Sequence, residues 1–269
     1  MNRSAPPPDF AWTDRRRRLA PALSAGVIAA WAGLLALLLA GPDALARGAL
    51  APLFALAQAW LHTGLFIVAH DAMHGTAAPG RRRLNDSLGA LALALYALFP
   101  FRALRAAHAA HHAAPGAPTD PDGPGPEGEG FARWYLRFIR RYLRWTQIVG
   151  LALAFNLAQH ALGVPQWRLI AFWVIPSLLS TVQLFLFGTW LPHRTPPEGF
   201  ADAHRATSAG YGTLTSLLAC FHFGYHWEHH AAPSTPWWAL PSARRARLRE
   251  LVDAKDPVGA QDRHAADAP

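Results

Sequence analysis

Four long apolar stretches divide the chain, at about Pro21 to Ala40, Ala49 to Ala69, Thr146 to Val164 and Arg168 to Leu191. Each is close to the ~20 residues that a helix needs to cross the hydrocarbon of a bilayer. A fifth stretch, Leu88 to Phe101, is 14 residues long and is interrupted by Pro100. At ~1.5 Å per residue it rises ~21 Å, short of a ~30 Å hydrocarbon core, which predicts a re-entrant or interfacial helix. Leu214 to Tyr225 is also too short to span. Pro115 to Gly130 is a Pro/Gly-rich polar loop. From Phe131 to Trp145, Arg133, Arg137, Arg140, Arg141 and Arg144 recur at helical spacing among Trp134, Tyr135, Phe138 and Tyr142. That alternation predicts an amphipathic helix on an anionic membrane surface. The expected architecture is all-α and integral to the membrane: four transmembrane helices, a re-entrant or interfacial helix, and a cap rich in histidine. A polar basic tail, 1–18, precedes the membrane domain, 19–250, and a polar tail, 251–269, follows it.

Charge orients this arrangement. The net charge is +8, and all but one of the 25 basic residues are arginine. In a soluble protein that balance would suggest nucleic acid; here it reports which loops face the cytoplasm, and no nucleic-acid partner is expected. With the N-terminus inside and the four long stretches crossing in turn, the two outer loops hold only Arg47 and Arg168 among the basic residues. Both termini then lie on the cytoplasmic side. The N-terminal Arg15 to Arg18, followed by an apolar run with no small-residue cleavage site, reads as a first membrane helix and not as a removable signal. The single cysteine, Cys220, excludes an internal disulfide and any C-x-x-C metal pair.

The candidate chemistry lies in the histidines. His70 and His74 form H-x-x-x-H, His108, His111 and His112 form H-x-x-H-H, and His226, His229 and His230 repeat it, with His222 four residues upstream. His193 stands just beyond the fourth apolar run. The charge-derived topology puts all of them on the cytoplasmic side. Residues three and four apart share one face of a helix, so each cluster can aim several imidazoles at one point. Eight to ten imidazoles are too many for one metal ion and suit two. Imidazole serves Zn, Cu, Fe and Ni, so ligand type alone leaves the metal open. The absence of H-E-x-x-H argues against a zincin protease. Haem would want single histidines facing each other inside helices, and only His62 lies well within a span. A histidine relay in a transport protein would need ionisable groups through the middle of the spans, which His62 alone does not supply.

The three boxes, separated by membrane spans, resemble those of the membrane fatty acid desaturase and hydroxylase superfamily. Within it, "LFIVAHDAMHG" (Leu65 to Gly75), "FGTWLPHR" (Phe187 to Arg194), "CFHFGYHWEHH" (Cys220 to His230) and "PWWALPSARR" (Pro236 to Arg245) are similar to bacterial β-carotene ketolases. The resemblance makes 19–250 a desaturase-like catalytic domain in the bacterial cytoplasmic membrane. It implies a site of two non-haem iron ions, O2 as oxidant and a membrane-embedded carotenoid as substrate. The implied ligands are His70, His74, His108, His111, His112, His226, His229 and His230, joined by His222 on the face of His226. His193 is either a further ligand or a cap on the fourth span's end. Asp71, Asp120 and Glu228 are expected to accept the second ring N–H of ligating histidines, with direct carboxylate ligation left open. Asp120 and Asp122 read equally as solvated loop charges.

Trp190, Trp237 and Trp238 fit an interfacial belt, while Trp190 and Trp227 are also candidates to line a polyene channel. His62, His160, His204 and His264 are expected to be ordinary interfacial or tail histidines. The implied reaction is two successive hydroxylations of the ring C4 methylene, then loss of water to a ketone, taking β-carotene through echinenone to canthaxanthin. Hydroxylated rings such as those of zeaxanthin would lead towards astaxanthin. With no Gly-rich nucleotide loop and no cysteine cluster, electrons must come from outside, from ferredoxin and its reductase. The alternatives are a fatty-acyl desaturase or hydroxylase using the same iron site, and a non-enzymatic membrane metal-binding protein.

Overall fold

A computed structural model describes residues 10–125 and 129–255; the outer parts of both expected tails, with His264, lie outside the described residues. Helix α1, Asp14–Ala40, begins inside the stretch expected as tail, because the Thr13 side chain caps it by accepting from the Arg16 backbone N–H at 3.3 Å and Asp14 occupies its first turn. It therefore carries Arg15 to Arg18 on its first turns. At its other end, the guanidinium of the buried Arg168 donates to the carbonyls of Leu38, Leu39 and Gly41, at 3.1, 3.2 and 2.8 Å. Those carbonyls have no partner within the helix, so a cation there answers both hydrogen bonding and the helix dipole. Arg168 also pairs with Asp43, in the short helix α2, Asp43–Arg47. The end of α1 and the start of the last long helix thus meet at one end of the molecule.

Helix α3, Ala51–Met73, is the central post, packed against α1, α4 and α8. Its C-terminal half is buried on every side, from His62 through Ala72 apart from the half-buried Phe66. Gly64 permits this: a Cβ there would lie 2.7 Å from the Phe221 ring and 2.8 Å from Val27. Helices α4, Arg82–Ala97, and α5, Phe101–Ala113, meet at a bend of 100°. Leu98, left-handed at φ 57, and Pro100 make that bend, so the short apolar stretch ends where its proline indicated. Helix α6, Phe131–Tyr142, is the expected amphipathic helix; Phe131, Tyr135 and Phe138 surround Phe185 at ring separations of 5.2, 5.3 and 5.4 Å. Helix α7, Trp145–Asn156, continues through a π turn, Leu157–Ala161.

Helix α8, Gln166–His193, runs 28 residues and contains two π turns, Ile170–Val174 and Leu186–Trp190. Its first half buries Leu169 and Phe172, the latter beside Leu38 and Ala46; its second half buries Leu184, Phe185, Gly188 and His193. Short helices α9, Thr213–Cys220, and α10, His226–Ala231, and the long α11, Leu240–Lys255, complete the chain. By length and composition, α1, α3 and α8 can cross a membrane, with a fourth span if the bent α4–α5 pair counts as one. Among the described residues all regular structure is helical, with no strand.

Candidate metal centre

Nine imidazoles converge in two groups at one end of the bundle. His70, His74, His108, His112 and His229 form one, and His111, His193, His226 and His230 the other; within each, one ring nitrogen per residue lies within 4.8 Å of the rest. Their positions follow from helix geometry. His70 ends α3 and His74 caps it, α5 aims His108, His111 and His112 inwards, His193 ends α8, and α10 supplies the last three. In the first group, Nε2 atoms approach at 3.2 Å (His70 to His229), 2.8 Å (His74 to His108) and 2.9 Å (His112 to His229). In the second, the separations are 3.2 Å (His111 to His230), 3.0 Å (His193 to His226) and 3.1 Å (His226 to His230). Two nitrogens each ~2.1 Å from an ion, at tetrahedral or octahedral angles, stand ~3.0–3.4 Å apart. The donor set therefore fits two first-row transition ions.

Burial tunes the rings for ligation. It holds His226, His229 and His230 well below the ordinary histidine value, with neighbouring imidazoles adding to the effect. They are thus neutral, the form that binds metal. The second ring nitrogen of two of these histidines is anchored. His111 Nδ1 lies 2.9 and 3.0 Å from the oxygens of Asp120, and His193 Nδ1 donates to the Arg205 carbonyl at 2.9 Å. Each contact leaves Nε2 free to face the centre. Asp120 also accepts from the backbone N–H groups of Gly116, at 2.6 Å, and Asp122, at 2.9 Å. Burial works against its charge, but the contact with His111 and these donors together hold its carboxyl below the usual carboxylate range. It is a built acceptor and not a solvated loop charge.

Other expected positions fall elsewhere. His222 joins neither group. Helix α9 ends at Cys220, and Phe221 and His222 take left-handed φ values of 47 and 64, so His222 and His226 do not share a helical face. The His222 ring instead stacks on Tyr225 and Trp237. Glu228, fully buried, points away from the histidines: Ser208 donates to it, and Arg244 and Arg247 donate at 2.9 and 3.2 Å. Asp71 is buried beside His70, but its carboxylate is 4.0 Å from His70 Nδ1, too far for a hydrogen bond, and accepts from the Trp237 backbone at 3.3 Å.

His62 is no interfacial histidine. It is buried, accepts from Trp31 Nε1 at 3.1 Å and contacts the Tyr96 carbonyl at 3.0 Å. His160 is exposed, and His204 lies edge-on to Trp227. A backbone acceptor such as the Arg205 carbonyl leaves no mark in the sequence, and the clamp on Glu228 draws Arg244 and Arg247 from a separate helix.

One cavity of about 270 Å³ adjoins both groups, walled by His70 and His108 of the first and His111, His193 and His226 of the second. Its other walls are mainly aromatic and aliphatic, including Phe66, Phe99, Leu104, Phe138 and Phe223. Trp190 and Trp227 are not among them. Trp227 Nε1 donates instead to Asp202 at 2.6 Å, and Trp190 lies edge-on to Phe131.

Two overlapping stretches, residues 45–168 and 139–260, match the family model described as fatty acid desaturase. The chain belongs to the fatty acid desaturase family. Within that family, it is 47% identical over 224 residues to a β-carotene ketolase of Paracoccus sp. (strain N81106 / MBIC 01143), a match covering 82% of this chain and 90% of that protein. A β-carotene ketolase of Paracoccus sp. (strain PC1) is 46% identical over 227 residues, 83% of this chain and 91% of its own length. A zeaxanthin 4-ketolase of Chlamydomonas reinhardtii is 38% identical over 191 residues, 69% of this chain and 42% of the algal protein. The matches to both Paracoccus proteins are long enough to take in most of this chain.

Proposed function

We propose that this chain is a membrane carotenoid ketolase that converts the ring C4 methylene of β-carotene-type substrates to a ketone with O2. The carrying observation is the apolar cavity walled by histidines of both groups, read together with the similarity to the two Paracoccus ketolases. His70, His74, His108, His112 and His229 would hold one iron ion, and His111, His193, His226 and His230 the other. Once bound, the pair supplies activation of O2 and oxidation of an unactivated C–H bond. The protein does the rest. Asp120 and the Arg205 carbonyl keep His111 and His193 in one tautomer, and the aromatic wall excludes water from the ring. Overall, one methylene, two O2, four electrons and four protons yield one ketone and three waters, by way of an alcohol and a gem-diol that dehydrates. The ring enters the histidine end while the polyene stays in hydrocarbon.

The finer placement is part of the same reading. Helices α1, α3, α7 with its π turn, and α8 cross the membrane, and the bent α4–α5 pair enters and leaves on one side. The Arg168–Asp43 contact supports this, since it puts both outer loops at one end. The histidines and both termini face the cytoplasm of a bacterial inner membrane, where ferredoxin and its reductase deliver electrons. Residues 19–250 form the catalytic domain. The deciding experiment is pigment chromatography with mass detection after expression in bacteria that make β-carotene. Echinenone and canthaxanthin are expected. Hydroxylated pigment without ketone would make the protein a hydroxylase, and unchanged pigment beside new acyl double bonds would make it an acyl desaturase.

A further inference from the structure

The cavity wall beside His111 carries a polar pair among apolar neighbours. Asp122 and Tyr142 both line the cavity, and the Tyr142 hydroxyl donates to Asp122 Oδ1. The pair is rigidly placed relative to the candidate centre, because the Asp122 backbone N–H donates to Asp120 at 2.9 Å and Asp120 holds His111. Since the phenol proton is committed to Asp122, the pair is left with lone pairs to offer a ligand, on the second carboxyl oxygen and the phenol oxygen. Such a site pairs with an O–H donor. A hydrocarbon ring seated there would leave the second Asp122 oxygen buried without a partner, which is costly. A ketone or ether oxygen, being an acceptor only, would gain nothing.

We infer that Asp122 and Tyr142 form a recognition site for a hydroxyl on the ring carbon next to the reacting methylene, so that 3-hydroxylated rings are favoured over unsubstituted ones. The inference rests on the ketolase reading. A ring hydroxyl adjacent to C4 reaches the cavity wall while C4 faces the histidines, and the hydrogen bond fixes which ring face and edge point inwards. Tying the loop before α6 to the helix's end is the purely structural role of the same pair; it predicts no difference between substrates.

The test is a competition. Membranes holding the full iron-loaded chain and an electron donor receive equimolar β-carotene and zeaxanthin, and the initial rates of ketone formation are compared. A hydrogen bond to the Asp122 carboxyl predicts a preference of roughly three- to tenfold for zeaxanthin. In Asp122→Leu, which removes the acceptor, the ratio should fall to about one. Asp122→Asn, which preserves shape and an oxygen for Tyr142, should lower it in part. A wild-type ratio near or below one overturns the inference, as does an unchanged ratio in either variant with a full iron complement. Ketone from neither substrate would instead overturn the ketolase reading, whereas equal ketone from both would overturn only the hydroxyl site.

Discussion

Asp120→Ala is expected to weaken one metal position selectively. Asp120 is buried in the turn after the second histidine box, with both oxygens within 3.0 Å of His111 Nδ1. Removing the carboxylate frees the His111 ring to rotate and to adopt the tautomer whose protonated Nε2 cannot ligate. A hydrogen bond to a charged partner contributes about 1.5–3 kcal/mol. Loss of an outer partner of a ligating histidine lowers metal affinity or activity by about 10–100-fold, equivalent to about 1.4–2.8 kcal/mol. The two scales agree, so the local contact alone accounts for the effect. Asp120→Asn keeps an oxygen for the ring N–H without the charge and should fall between. The assay is iron per chain during titration with a competing chelator, in detergent at fixed pH. Wild-type protein should hold two irons, and Asp120→Ala should lose one of them at about 10–100-fold less chelator. Wild-type retention by Asp120→Ala would refute the role given to this carboxylate. Equal loss of both irons would show that the effect is not confined to the group containing His111.

Other outcomes follow from the same geometry. His193→Ala should reduce bound iron from two to about one, whereas His222→Ala, whose ring stacks on Trp237 outside both groups, should keep two; iron loss in the second variant would return His222 to the ligand set. Glu228→Gln should weaken the contacts to Arg244 and Arg247 and destabilise the fold by about 1–3 kcal/mol, with iron retained by the folded fraction; an unchanged thermal midpoint would count against the clamp. Because burial depresses His226, His229 and His230, the unfolded chain takes up protons that the fold does not. Their contribution is complete above the ordinary histidine value of about 6.5 and is lost as pH falls below it. Thermal unfolding of the metal-free protein between about pH 8 and pH 5 should show the decline, and a flat profile would contradict the burial argument.

The legible features of this chain are those that local pattern encodes. Apolar runs, the Pro100 break and the arginine spacing of α6 all survive into three dimensions, and so does the convergence of three boxes from separate helices. Asp120 could be singled out because it opens a T-D-P-D turn just after the second box. The misreadings have tertiary causes. The four-residue spacing alone puts His222 on the helical face of His226, and neither Phe221 nor His222 is a glycine or proline that would mark the reversal there. That reversal is held by distant contacts: Phe221 stacks on Trp60 at 4.1 Å and fits against Gly64, and the Trp60 indole donates to the Leu217 carbonyl. Nothing local marks His62 as a buried hydrogen-bonded residue, because its partner Trp31 lies in another helix. Glu228 sits between His226 and His229 in sequence, yet its partners Arg244 and Arg247 lie a helix away. The start of α1 was readable from Thr13 and Asp14, but the arginine run that follows masked it.

The π turn at Leu186–Trp190 sets a constraint that no hydropathy profile registers. In a plain α-helix each residue advances ~100° around the axis, so a span is ordinarily indifferent to one residue more or less, provided it stays long and apolar. Here the wide turn absorbs part of that advance just before His193. Deleting one residue between 186 and 190 would close the wide turn into an ordinary one and shift His193 by only roughly 20–30°, whereas one residue more, with no second wide turn to absorb it, would swing His193 by ~100° away from His226. This stretch of helix therefore has a reading frame, as a coding sequence does: its length counts in single residues, and an insertion that the membrane would tolerate the centre would reject.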